Sequence, residues 1–109
     1  MLLNQKITDR KIHIAIVGCG RISKKHFDSI KKHHETMELT AICENNKEVL
    51  ENYKQKYDVP AYLQLDNMLK SEKIDLIALC TPSGQHACQV EIAANYGAHV
   101  MTEKPMATR

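Results

Sequence analysis

An apolar run that ends in a glycine turn constrains this chain more than any other feature. Ile12, Ile14, Ala15, Ile16 and Val17 lead straight into Gly18-Cys19-Gly20-Arg21-Ile22-Ser23. A helix-compatible stretch follows, and Glu44 closes the next apolar run. Strand, glycine turn, helix, then strand with a terminal acid is the order that binds a dinucleotide. Gly18 lets the chain leave the strand in a tight turn. Gly20 has no side chain, so a pyrophosphate can approach the backbone. The helix start offers unpaired N–H groups and a positive dipole end to the phosphates. Ser23 takes the third small position, where Gly or Ala is usual, and is small enough for close helix–strand packing. Glu44 lies 21 residues beyond Ser23, where a carboxylate can accept hydrogen bonds from an adenosine ribose. A plain structural turn is the competing reading, because short glycine turns end many strands.

The remainder alternates between strand and helix patterns. Periodicity predicts strands over 11–17, 38–44, a short one at Ala61-Tyr62, then 74–80 and 98–102. Between them it predicts helices over 21–33 and 47–57, a short one capped by Asp66, and a fourth over 84–95. In the first helix Ile22, His26, Phe27 and Ile30 share one face; Lys24, Lys25, Asp28, Lys31 and Lys32 share the other. That lysine face reads as a solvated surface with cations near the helix C-terminus rather than a nucleic-acid patch. Asn46 is a good N-cap for the second helix, whose buried stripe is Val49, Leu50, Tyr53 and Tyr57. The fourth helix is expected to bury Ala87, Val90 and Ala94 and to end at Gly97. Ile74 and Leu76 to Cys80 are almost continuously apolar, as in a parallel strand covered on both faces. The fold class is therefore α/β, a doubly wound parallel sheet of order 3-2-1-4-5. Its ligand crevice lies at the switch point between strands one and four.

At 109 residues the chain makes one domain, 11–109, behind a frayed leader, 1–10. Hydrophobic residues at 43% and a net charge of +2 describe an ordinary globular chain and argue against nucleic acid as partner. No apolar run approaches the roughly 18 residues of a membrane span, and the N-terminus lacks a signal-peptide core. The expected location is cytoplasmic. Cys19, Cys43, Cys80 and Cys88 form no C-x-x-C pair and read as reduced thiols used as small apolar residues. The histidines are scattered, His33-His34 at a solvated helix end, and no metal site is expected.

The loops after strands one, two, four and five open onto one edge of such a sheet. They carry Gly18 to Ser23, Glu44, Thr81-Pro82-Ser83-Gly84-Gln85-His86 and Thr102-Glu103-Lys104-Pro105. Thr81 and Ser83 offer hydroxyls toward the middle of a cofactor, and Pro82 stiffens the loop. Lys104 is the one lysine expected at a strand C-terminus on this edge. A cation there could stabilise a developing alkoxide; from spacing alone, a plain surface lysine fits as well. His86 by itself reads as a solvent-facing helix start.

These residues resemble the N-terminal domain of the glucose-fructose oxidoreductase / inositol dehydrogenase / MocA family. The glycine turn, Thr81-Pro82 with His86, and above all Glu103-Lys104-Pro105 carry the resemblance. It implies NAD as cofactor. It places Lys104 between nicotinamide and substrate as the catalytic residue, with Thr81, Pro82 and Glu103 lining the nicotinamide half. Cys19, Arg21 and Ile22 join Gly18 and Gly20 in the pyrophosphate turn. Glu44 stands where Asp is commoner. Val17 to Ile22, His26-Phe27, Thr81 to His86 and Val100 to Arg109 are further similar to a subgroup, the bacterial UDP-N-acetylglucosaminuronate 3-dehydrogenases. That likeness implies oxidation of a sugar 3-hydroxyl in O-antigen synthesis, with a UDP-sugar as substrate and a homo-oligomeric protein. Family members continue well past Arg109, so the Rossmann sheet is expected to lack its last strand and the substrate domain. A second catalytic group, a histidine, belongs to that later domain. Strand five should then present an open edge at Ala98 to Thr102 beside apolar Val100 and Met101.

Overall fold

A computed structural model describes residues 11–20, 23–81 and 86–102. The elements run β1 (Ile12–Val17), α1 (Ser23–Lys32), β2 (Met37–Cys43), α2 (Lys47–Tyr57), β3 (Ala61–Tyr62), α3 (Leu65–Ser71), β4 (Leu76–Leu79), α4 (His86–Asn95) and β5 (His99–Thr102). The strands form one parallel sheet in the order β3-β2-β1-β4-β5, as expected. The leader 1–10 lies outside the described residues.

The sheet is covered on both faces, and alternation along each strand assigns the layers. Ile14 and Ile16 of β1 pack with Phe27, Ile30, Leu50, Ile42 and Ala78, under α1 and α2. Ala15 and Val17 point the other way, against Met68, Leu69, Ile77, Leu79 and Ala93, under α3 and α4. Ile16 and Ile42 are completely buried, so truncating either to alanine costs about 2–5 kcal/mol. The tyrosine stripe joins this core: Phe27 stacks on Tyr57 with centroids 4.2 Å apart, and lies 5.3 Å from Tyr53.

β2 carries an irregularity that alternation alone does not reveal. Its register with β1 passes from Ile14↔Leu39 to Ala15↔Ala41, which leaves Thr40 as an extra residue. The bulge reverses the parity of the strand. Met37 and Leu39 therefore share a layer with Ile42, while Ala41 and Cys43 face the opposite one. An apolar sequence whose spacing changes mid-strand thus still packs inward, partly buried at Met37 and Leu39 and fully buried from Ala41 to Cys43. Thr40 Oγ1 lies 3.0 Å from His13 Nδ1.

Asn46 caps α2 as expected, its side-chain oxygen accepting the N–H groups of Glu48 at 3.1 Å and Val49 at 3.2 Å. Asp66 does not cap α3. Gln64 holds that position without a side-chain bond, and Asp66 lies in the first turn. Leu65, Met68 and Leu69 form the buried i, i+3, i+4 stripe, and burying Leu65 starts the helix earlier. α4 also differs from expectation. Gln89, Ile92 and Ala93 face inward, while Val90 stands 38% exposed and Ala94 is exposed. The helix end sets this phase. Ala98 N–H bonds to Ala93 O at 3.1 Å and Gly97 N–H to Ala94 O at 3.0 Å, with Gly97 at φ +78°. This Schellman closure draws Ala93 and Ala98 together into the core. The Ala87 side chain lies outside the described residues.

Candidate functional site

The C-terminal ends of β1, β2 and β4 meet at a cleft of about 210 Å³ bordered by Gly18, Glu44, Asn45, Gln64, Thr81 and Gln89. Parallel pairing brings these ends together. Gly18 N–H bonds to Cys43 O at 2.7 Å, and Cys80 N–H to Val17 O at 2.8 Å. The switch point between β1 and β4 therefore lies at the cleft, where the sequence places it.

Gly18 is required by the fold itself. Its φ is +92°, and a Cβ there would come within 2.8 Å of Thr81 Cγ2 and 2.9 Å of the Cys80 carbonyl carbon. Gly20 differs: a Cβ there would meet no atom of the described residues within 4 Å. None of the described residues fills the space above it, which is the opening a pyrophosphate needs. The Gly20 carbonyl accepts both the Ser23 N–H at 3.1 Å and the Ser23 hydroxyl at 2.6 Å. Ser23 is fully buried, so the third small position closes the turn with a hydrogen bond as well as with its small size.

Glu44 sits just past the end of β2, half-buried. Its Oε1 accepts the Cys19 N–H at 2.8 Å and its Oε2 the Asn46 N–H at 2.9 Å. The carboxylate thus ties the glycine turn to the start of α2. Each oxygen keeps a lone pair for a further donor. An open glycine backbone, an anchored carboxylate and a cleft between them fit a dinucleotide.

The thiols beneath the turn are buried and inert. Burial, then the nearby Glu44 charge, pushes Cys19 up to about 12 and Cys43 likewise to about 12. Cys88 is exposed. Among the described residues no three metal-ligating side chains are grouped to hold an ion. None of the described helices is long and apolar enough to cross a membrane.

The structure brings Gly18, Glu44 and Thr81 to the cleft and ties Cys19 to it through Glu44, while Gly20 follows in the same turn without lining the cleft. Arg21, Ile22, Pro82, Ser83, Glu103 and Lys104 lie outside the described residues, and His86 opens α4 with its side chain likewise outside them. Gln64, Asp66 and Gln89 also border the cleft, and the sequence reading offered none of them as a site residue, Asp66 only as a helix cap. Gln89 accepts the Thr81 hydroxyl at 2.6 Å. Its signal was a lone amide between apolar helix positions, which the predicted helix phase sent to solvent.

Residues 12–109 match the sequence model of the oxidoreductase family with the NAD-binding Rossmann fold that includes glucose-fructose oxidoreductase, inositol dehydrogenase and MocA. The chain belongs to this family. Two solved structures similar to it are WlbA dehydrogenases, each in complex with NADH and UDP-GlcNAcA. The one from Bordetella pertussis is 43% identical, with a TM-score of 0.86 over 92% of this chain and 30% of its own. The one from Chromobacterium violaceum is also 43% identical, with a TM-score of 0.87 over 94% and 30%. Among curated family members, the D-glucoside 3-dehydrogenase of Escherichia coli K12 is 27% identical over 96% of this chain and 30% of its own length. The chain thus spans about 30% of the length of these relatives.

Proposed function

We propose that this chain is the NAD-binding part of a dehydrogenase that oxidises the 3-hydroxyl of a UDP-N-acetylhexosaminuronate, in O-antigen sugar synthesis. The observation that carries this reading is the 43% identity, over more than nine-tenths of the chain, to two dehydrogenases solved with NADH and UDP-GlcNAcA. In this reading Gly18, Cys19, Gly20, Arg21 and Ile22 receive the pyrophosphate on backbone and helix dipole. Glu44 accepts the adenosine ribose hydroxyls. Thr81, Pro82, Ser83, His86 and Glu103 line the other half. Lys104 polarises the substrate oxygen and stabilises negative charge as its proton departs. Bound NAD supplies the hydride acceptor. The free thiols suit a reducing, cytoplasmic compartment.

A second reading keeps the fold and changes the sugar. The likeness to D-glucoside 3-dehydrogenase over 96% of the chain favours it, because the matched region is mainly the cofactor half. NAD reduction by the protein encoded by the whole gene separates the two. Turnover with UDP-GlcNAcA and none with simple glucosides is the expected result; the reverse replaces the substrate assignment.

A further inference from the structure

The β3 end of the cleft differs chemically from the glycine end. Cys43 pairs with Tyr62, and the Glu44 N–H bonds to Tyr62 O at 3.0 Å, so β3 ends level with β2. Leu63 and Gln64 follow at once and border the cleft, about one strand spacing, ~4.8 Å, from Glu44 and Asn45. Leu63 stands 42% exposed, an apolar surface at the rim. Gln64 holds the N-cap of α3 because Leu65 is buried, and its side chain makes no capping bond to that helix. The helix therefore uses neither the donors nor the acceptor of this amide. Asp66 borders the same end as Glu44. Two carboxylates there repel a phosphate and leave the place to a neutral group. Ribose chemistry says which. The 2′ and 3′ hydroxyls lie between C5′, which carries the phosphate, and C1′, which carries the base. With those hydroxyls on Glu44 and the pyrophosphate over the glycine turn after β1, the base falls on the β3 side.

We infer that Leu63 and Gln64 select adenine over uracil at this cleft. Leu63 supplies an apolar platform for the purine ring. The Gln64 amide accepts from the adenine amine and donates to the neighbouring ring nitrogen, the pairing that suits a glutamine. The inference rests on the assignment of the cleft to NAD. In the proposed reaction cofactor and sugar substrate both carry a nucleoside diphosphate. A cleft that held only ribose and pyrophosphate would take up UDP as readily as the ADP half of NAD. Uracil, a single ring, covers less of Leu63 and falls short of an amide placed for a purine edge.

Calorimetric titration of the chain with ADP and, separately, with UDP tests it. ADP should bind about tenfold or more tightly than UDP. Gln64→Ser removes the amide and supplies the hydroxyl that helix N-caps prefer. It should melt about 2–5 °C higher than the parent, yet bind ADP about three- to tenfold more weakly and UDP no differently. A residue that only started the helix would move stability and binding together. Leu63→Ser removes the platform and should weaken ADP by a similar factor and UDP by less. Both positions are exposed, and melting followed by circular dichroism confirms folding; Gln64→Met, which keeps the side-chain length, repeats the binding arm if the serine variant melts early. Unchanged ADP binding by either folded variant, an equal loss of UDP, or equal affinity of the parent chain for ADP and UDP overturns the inference. If the parent binds neither ADP nor NADH, the cofactor assignment falls and takes the inference with it.

Discussion

The Cys19 N–H donates to Glu44 Oε1 at 2.8 Å, which joins the glycine turn after β1 to the acid after β2. The second oxygen is held by the Asn46 N–H at 2.9 Å. A carboxylate fixed by two backbone donors cannot swing aside for a ribose 2′-phosphate. NAD should therefore bind tighter than NADP by on the order of a hundredfold, since juxtaposed like charges cost several kcal/mol. Lys47 at the exposed start of α2 softens this preference. Paired calorimetric titrations decide it, and equal or tighter binding of NADP removes Glu44 from the role.

The same contact carries stability. Glu44→Ala leaves the Cys19 N–H without its acceptor and should cost about 1–3 kcal/mol. Glu44→Gln retains one acceptor oxygen and should cost less. Denaturant melts of the two variants, ranked against each other, provide the check; equal stability of both with the parent would show the contact to be idle.

Three glycines should respond in three ways to alanine. Gly18→Ala meets both a positive φ and backbone within 2.9 Å, and should lose more than about 3 kcal/mol. Gly97→Ala meets only the positive φ, and should lose about 1 kcal/mol. Gly20→Ala meets nothing among the described residues within 4 Å. It should melt within about 0.5 kcal/mol of the parent yet bind NAD about tenfold or more weakly, because its methyl occupies the pyrophosphate approach. Normal NAD affinity in a folded Gly20→Ala chain would mean the cofactor lies elsewhere.

Cys19 and Cys43, each raised from 9.0 to about 12, favour the protonated state when folded. Their contribution to stability is full below the unfolded thiol pKa near 9 and disappears as pH climbs toward 12. Stability should accordingly fall across that alkaline window. At pH 8 a thiol reagent should label exposed Cys88 in the native chain and reach Cys19 and Cys43 only on unfolding. Rapid native labelling of Cys19 would contradict its burial.

In the protein encoded by the whole gene, Lys104→Ala should lower the rate of the chemical step by about a hundredfold or more, with a smaller effect on NAD affinity. Single-turnover kinetics with UDP-GlcNAcA give the measurement. Turnover at the parent rate would remove the lysine from the mechanism.

β5 forms an edge of the described sheet, with Met101 41% exposed. Such an edge pairs readily with another chain. The chain should self-associate at high concentration in light scattering, and Met101→Lys should reduce this. A monomer unaffected by the substitution would show that the edge is protected.

Much of this architecture was legible because it rests on local chemistry. An apolar run broken by Gly18 and Gly20 specifies a strand and its turn. Asn46 specifies the start of α2, and Gly97 the end of α4. Alternating elements with right-handed crossovers leave little choice of strand order. Glu44 was legible for the same reason, as the residue that must follow β2. Tertiary structure decided what depends on register between distant segments. Thr40 is a bulge only because β1 pairs with β2 on both sides of it. The phase of α4 follows from the closure of Gly97 and Ala98 onto Ala93, so Gln89 turned inward and Val90 outward, against their hydrophobicity. The Cys19–Glu44 and Thr81–Gln89 contacts join different elements. Periodicity is a property of one segment; a hydrogen bond across the sheet exists only once the sheet has set the distance.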